Sequence, residues 1–154
     1  MNLKDVIRLV GWYKQRWHIE QLFRIMKNQG FQIEDSQLEN YSSLSKMCTL
    51  VLLSSIEVLK LTISREGKNK RTFDDVFETY DKDLFLKINS KCEGKTKKQK
   101  NPHRKFSLAW VSWIIGRLGG WNGYSSERPP GPITMFNGLK KYYSLKAGWG
   151  LALE

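Results

Sequence analysis

The chain has 154 residues, and its 26 Lys and Arg outnumber 15 Asp and Glu to give a formal charge of +11. That length can bury one core, or one domain plus a piece of another, and six Trp, six Tyr and seven Phe exclude a disordered chain. So basic a balance points to a polyanionic partner, nucleic acid before a membrane surface.

Residues 4–28 read as a first helix, rich in good helix formers and ended by Asn28-Gln29-Gly30. "FQIEDSQLEN" is a short irregular connector. A second helix runs from about Ser42 to Ser64. Leu44, Met47, Leu50, Val51, Leu53, Ile56, Leu59 and Leu61 make it apolar on more than one side, which places it at the centre of the fold. Glu57 and Lys60 interrupt its most apolar stretch, so it reads as a core helix and not a membrane span.

Thr72 is an N-cap, with Asp74 and Asp75 in the first turn of a third helix reaching Asn89. Residues 91–105 hold seven Lys and Arg against Glu93 and read as a mobile basic loop, either simply solvated or in contact with DNA. "FSLAWVSWIIGRLGGW" is a fourth helix stopped at Gly119-Gly120. "SERPPGPITMFNGLKKYYSL" is a proline-punctuated turn entering a fifth. Trp110, Trp113 and Trp121 suit core packing better than base stacking. No strand alternation or internal repeat is present, and the fold class is all-α.

The two cysteines and two histidines have no paired spacing, which argues against a zinc site. Cys48 and Cys92 as free thiols fit a reducing cytoplasm. The N-terminus has no apolar run of the length a cleavable signal needs. The expected setting is cytoplasmic, with no membrane and no small-molecule substrate.

The first helix carries the sharpest pattern. With Glu20 as the zero of a helical wheel, Tyr13, Arg16, Arg24 and Lys27 fall at about +20°, −40°, +40° and −20°. Trp12, Ile19, Leu22, Phe23 and Met26 gather on the other side as an apolar docking face. The stripe has two readings. One is a solvated face stitched by Arg16–Glu20 and Glu20–Arg24 pairs, each contributing about 0.2–0.5 kcal/mol. The other is a metal-binding carboxylate set among side chains that grip nucleic-acid phosphates.

The spacing Tyr13-x2-Arg16-x3-Glu20-x6-Lys27 resembles the Y-R-E-K signature of cut-and-paste DDE insertion-sequence transposases, the group that includes the bacterial transposon-five enzyme. "RWHIEQLFR" is similar to the surroundings of that signature. "IIGRLGGW" and "ERPPGPITMFNGLKKY" resemble the C-terminal helix end and Pro-Gly turn of the same proteins, with Met135-Phe136 replacing an aliphatic–Trp pair. The resemblance covers essentially the whole chain, although 65–105 agrees only in being helical and basic.

The resemblance implies a ribonuclease-H-like catalytic core in which two Asp and a Glu bind Mg²⁺ or Mn²⁺ for DNA cleavage and strand transfer. Glu20 would be the third, catalytic and metal-binding carboxylate. Tyr13, Arg16 and Lys27 would contact the DNA of transposon ends, and the stripe adds Arg24. Residues 1–30 would be the final helix of the core. Residues 31–154, with the basic loop 91–105, would be a C-terminal helical domain that dimerises in a synaptic complex. Only Asp5 precedes Glu20, so the chain reads as the C-terminal part of a bacterial transposase that neither binds metal nor catalyses alone. The alternative is a non-catalytic DNA-binding or regulatory module that oligomerises with the full-length enzyme; a third reading is a plain helical interaction domain. The crowded apolar circumference of the fourth helix, Leu108 to Leu118, predicts an exposed seam for self-association.

Overall fold

A computed structural model describes residues 2–124 and 126–151. Among the described residues five α-helices make up the architecture: α1 (Leu3–Lys27), α2 (Tyr41–Ser64), α3 (Lys82–Cys92), α4 (Leu108–Leu118) and α5 (Pro132–Leu151). Among the described residues the only β-type pairing is one isolated antiparallel bridge, Thr72 to Ser107, so the fold is all-α. The chain divides into two compact units, Met1–Leu59 and Lys60–Glu154.

In the first unit, α1 stops where the Asn28 and Gln29 amides both turn back to the Arg24 carbonyl. A short 3-10 turn, Ile33–Asp35, follows Gln32, which sits in the left-handed region at φ 48°. Asn40 then starts α2 by accepting the Ser43 amide on Oδ1 at 3.2 Å.

The apolar face of α1 is present but largely open. Trp12, Ile19 and Phe23 are each more than half exposed, and Ile25 is the buried residue of this helix. The expectation of a central α2 is corrected along its first half, where Leu50 and Leu53 face solvent. Its burial runs along one line, Ser55, Val58, Leu61 and Ser64, at helical i,i+3 spacing. An all-round apolar pattern records what a helix is able to bury, while actual burial needs a facing element on every side. By length and hydropathy alone α2 is long and apolar enough to cross a membrane, a test that a core helix also passes.

The second unit is built on aromatic packing. Phe85 of α3 meets Phe73 edge-on at 5.2 Å, Phe77 at 4.8 Å and stacks on Tyr142 of α5 at 4.6 Å between centroids. This cluster corrects the third helix. Thr72 and Asp75 do form a capping box, but around a 3-10 turn, Phe73–Asp75, with a second turn at Thr79–Asp81 before α3 begins. A straight helix from Thr72 would place Phe73, Phe77 and Phe85 along one rod. Two tight turns let all three rings enter the same core.

The basic segment 91–105 is anchored, contrary to the mobile loop expected from its lysines. Asn101 donates to the Asn89 side chain at 3.2 Å and to the Trp110 carbonyl at 3.0 Å, and its amide reaches Glu93. A capping box between Thr96 and Gln99 frames a 3-10 turn at Lys97–Gln99. One asparagine thus ties α3, the basic segment and α4 together.

Ser107 caps α4 by accepting the Trp110 amide, and every residue from Leu108 to Gly116 is buried. The exposed seam predicted for this helix is therefore interior. What buries it is a close crossing with α5, which begins with Pro132 in the first turn. A Cβ on Gly119 would lie 2.0 Å from the Thr134 carbonyl oxygen, and one on Gly138 would lie 2.0 Å from that of Ile115. Arg117 locks the end of α4: it donates to the Cys92 carbonyl at 3.1 Å and to the Trp121 carbonyl at 3.2 Å.

Two predictions follow from this packing. Gly138→Ala and Gly119→Ala should each lower the unfolding free energy by about 2 kcal/mol or more, because backbone stands where the methyl must go. Gly148→Ala, on the same helix with open space around it, should be neutral or stabilising by up to about 1 kcal/mol. Urea titration of the three variants checks this, and equal effects at Gly138 and Gly148 would contradict the crossing. His103 is half-buried beneath Gly67, and burial pushes its imidazole below the ordinary value, which is about 6.5. The unfolded chain therefore takes up this proton first as pH falls, so the stability contribution is intact above about pH 6.5 and is lost below it. Denaturation curves at neutral and mildly acidic pH should show that loss in the native protein and a smaller one in His103→Gln.

Candidate nucleic-acid interface

α1 presents Tyr13, Arg16, Glu20, Arg24 and Lys27 to solvent, all exposed. Arg16 is the organising side chain. Its guanidinium lies 3.1 Å from a Glu20 carboxylate oxygen and sits over the Tyr13 ring at 5.2 Å. Arg24 shares the stripe one turn further on, and its carbonyl accepts the helix-terminating amides. Lys27 leaves the Glu20 neighbourhood and pairs with Glu34 of the connector, a partner the wheel alone could not indicate. A shallow, open concavity of about 420 Å³ runs along the stripe, lined by Tyr13, Lys14, Arg16, Trp17 and Glu20. Lys14 and Trp17 are thus part of the surface although the four-residue spacing leaves them out.

This arrangement offers cations, a hydroxyl and aromatic rings to a phosphate backbone. It does not assemble a divalent-metal site. Among the described residues no three His, Cys, Asp or Glu side chains converge. Asp5 lies on the same helix fifteen residues before Glu20, about 22 Å along its axis, and is engaged by Arg8 at 3.5 Å. A pair of catalytic ions sits about 3.5–4 Å apart, so Asp5 and Glu20 do not share one.

Residues 3–56 match the family model described as a transposase DDE domain. That stretch is about a third of the chain and contains α1, the connector and most of α2. The match supports a DDE transposase acting in DNA transposition, and the all-helical fold is consistent with part of such a protein. None of the curated protein sequences matches the chain.

Residues that sequence reasoning kept in separate groups also come together in the second unit. Lys97, Lys98 and Lys100 of the basic segment and Trp113 and Trp121 of the α4 region line one cleft. No local spacing signals this grouping, because the lysines cluster at 97–100 and the tryptophans lie at 113 and 121.

If the Arg16–Glu20 pair is an exposed surface contact, Glu20→Gln should change the unfolding free energy by less than about 0.5 kcal/mol. Urea denaturation of the variant tests this. A loss above about 2 kcal/mol would make Glu20 a structural residue of the helix.

Proposed function

We propose that this chain is the C-terminal part of a DDE transposase of the Y-R-E-K type, similar to the transposon-five enzyme, and that it handles the DNA of transposon ends. The observation that carries the reading is a coincidence of two independent facts. The transposase-domain match covers 3–56, and within it one helix face carries the five stripe residues with Arg16 poised between Tyr13 and Glu20.

In this reading Glu20 is the third carboxylate of the catalytic centre. Tyr13, Arg16, Arg24 and Lys27 hold phosphates around it, Lys27 exchanging Glu34 for DNA. Residues 1–30 form the last helix of the catalytic core, and the open apolar face of α1 is the surface that packs on the rest of that core. Residues 31–154 form the helical domain that pairs protomers. Because α4 is interior, pairing would use exposed residues of α5 such as Ile133, Tyr143 and Leu145, with closed twofold symmetry as the default. Mg²⁺ or Mn²⁺ belongs to the complete carboxylate set. With Glu20 as its single contribution, the chain alone should neither nick nor join DNA.

The expected behaviour is salt-sensitive binding with little sequence preference. The logarithm of affinity should fall linearly with the logarithm of salt, at a slope of about −0.9 per phosphate neutralised. Arg16→Ala or Lys27→Ala should reduce the magnitude of the slope by about one unit, read by fluorescence anisotropy on a labelled duplex. A salt-independent affinity, or slopes unchanged in both variants, would remove α1 from the interface. Nicking by the purified chain that disappears in Glu20→Ala would overturn the expectation of inactivity.

A further inference from the structure

The second unit contains a cleft of about 470 Å³ that the α1 stripe does not involve. That volume lies in the range of small-ligand sites, about 300–1,000 Å³. It suits one nucleotide and is too small for a duplex.

Its lining is divided by chemistry. Lys97, Lys98 and Lys100 line the cleft, and among the described residues none of them has a carboxylate within ion-pairing distance. The two acidic residues of the lining are already engaged, Glu66 by Lys68 and Glu127 by the Asn122 side chain. Trp113, Trp121 and Tyr124 supply the aromatic surface; Tyr124 is 38% exposed, whereas Trp113 is buried. The indole N–H groups of Trp113 and Trp121 are buried without a protein acceptor.

The walls are held in place before any ligand arrives. Gln99 donates to the Tyr124 hydroxyl at 3.1 Å, clasping the lysine turn to the aromatic arm. Arg65 donates to the Pro130 carbonyl at 2.7 Å, joining two more lining residues. Arg117 grips the Trp121 carbonyl and lies over the Trp113 ring at 5.7 Å. Gly123, at φ 81°, lets the chain pass close to both: a Cβ there would stand 2.8 Å from Arg117 and 3.2 Å from Trp113.

We propose that this cleft binds one unpaired nucleotide, its base against Tyr124 and Trp121 and its phosphate on Lys97, Lys98 and Lys100. Aromatic faces accept any base, and the three lysines hold the phosphate. The choice of DNA as the source rests on the transposase reading. The nucleotide chemistry itself rests on the cleft alone, so a unit that served a free nucleotide would have the same lining.

Anisotropy with a labelled oligothymidylate, the corresponding duplex and unlabelled thymidine monophosphate as competitor separates the cases. Tyr124→Ala should weaken single-strand binding about tenfold while duplex binding changes less than twofold, and Tyr124→Phe, which keeps the ring but loses the Gln99 clasp, should lose less than Tyr124→Ala. The Lys97→Glu/Lys98→Glu double variant, on exposed positions that leave the core untouched, should cause a comparable loss and remains informative if Tyr124→Ala destabilises the fold. Competition by the mononucleotide at a concentration comparable to that of strand nucleotides identifies a free nucleotide as the ligand; strand binding without it identifies DNA. Single-strand affinity unchanged in Tyr124→Ala and in the lysine double variant, or no binding of either probe, would overturn the proposal. Loss of duplex binding in Arg16→Ala with single-strand binding intact would show that the two sites are separate, and the duplex failure would then concern α1 alone.

Discussion

Two glycines allow α4 and α5 to touch backbone to backbone. Gly119 faces the Thr134 carbonyl and Gly138 faces that of Ile115, each at a separation where no Cβ fits. The rest of the second unit depends on that approach. It is what lets an eleven-residue helix be buried through Gly116, and it brings Tyr142 of α5 onto Phe85 of α3. Gly116 adds a third close passage, against Pro130, which sets the path of the proline-rich segment leading into α5. The Arg-Leu-Gly-Gly sequence at the end of α4 thus has a mechanical meaning: the arginine ties down α3 and the following loop, and the glycine after it permits the crossing.

The first unit obeys a different constraint. α1 has a charged stripe and an apolar face, and the apolar face is mostly open. An exposed Trp12, Ile19 and Phe23 on one helix make an apolar surface of the kind that marks a contact site. Fixing that face against a catalytic core would leave the adjoining stripe, with Arg16 and Glu20, at the edge of the contact and open to substrate. The same amphipathic pattern would then serve both attachment and DNA contact. The two units differ in what they expose: one carries the charged stripe of α1 and the other a helical body with its own basic cleft.

Much of this was legible in the residues. Helix α1 was readable to within a residue because propensity, stop signal and stripe agree, and α2 had equally plain boundaries; for α5 the prolines marked an entry but no end. Sequence reasoning misplaced what depends on distant partners. Thr72 and Asp75 gave a correct capping signal but no measure of the helix length behind it, since the two 3-10 turns exist to place Phe73 and Phe77 in a core built from α3 and α5. The lysines of 91–105 suggested mobility, whereas Asn101, an ordinary residue in any local reading, holds the segment through Asn89 and Trp110. The apolar circumference of α4 carried no information on whether its cover comes from the same chain or from a second copy. At the stripe, the wheel placed all five side chains on one side of the helix but could not show that Lys27 turns to Glu34. The cleft stayed hidden because its lining comes from residues 65 to 130, joined only by folding.

The central claim, that the charged face of α1 is where this chain meets DNA, is tested most directly by mapping the contact residue by residue. Titrating the isotopically labelled protein with a short duplex, and following its backbone amide and arginine side-chain resonances, provides that map. The account predicts that the largest shifts fall on Tyr13, Lys14, Arg16, Trp17, Glu20, Arg24 and Lys27. Duplex binding that leaves the resonances of α1 in place would contradict it.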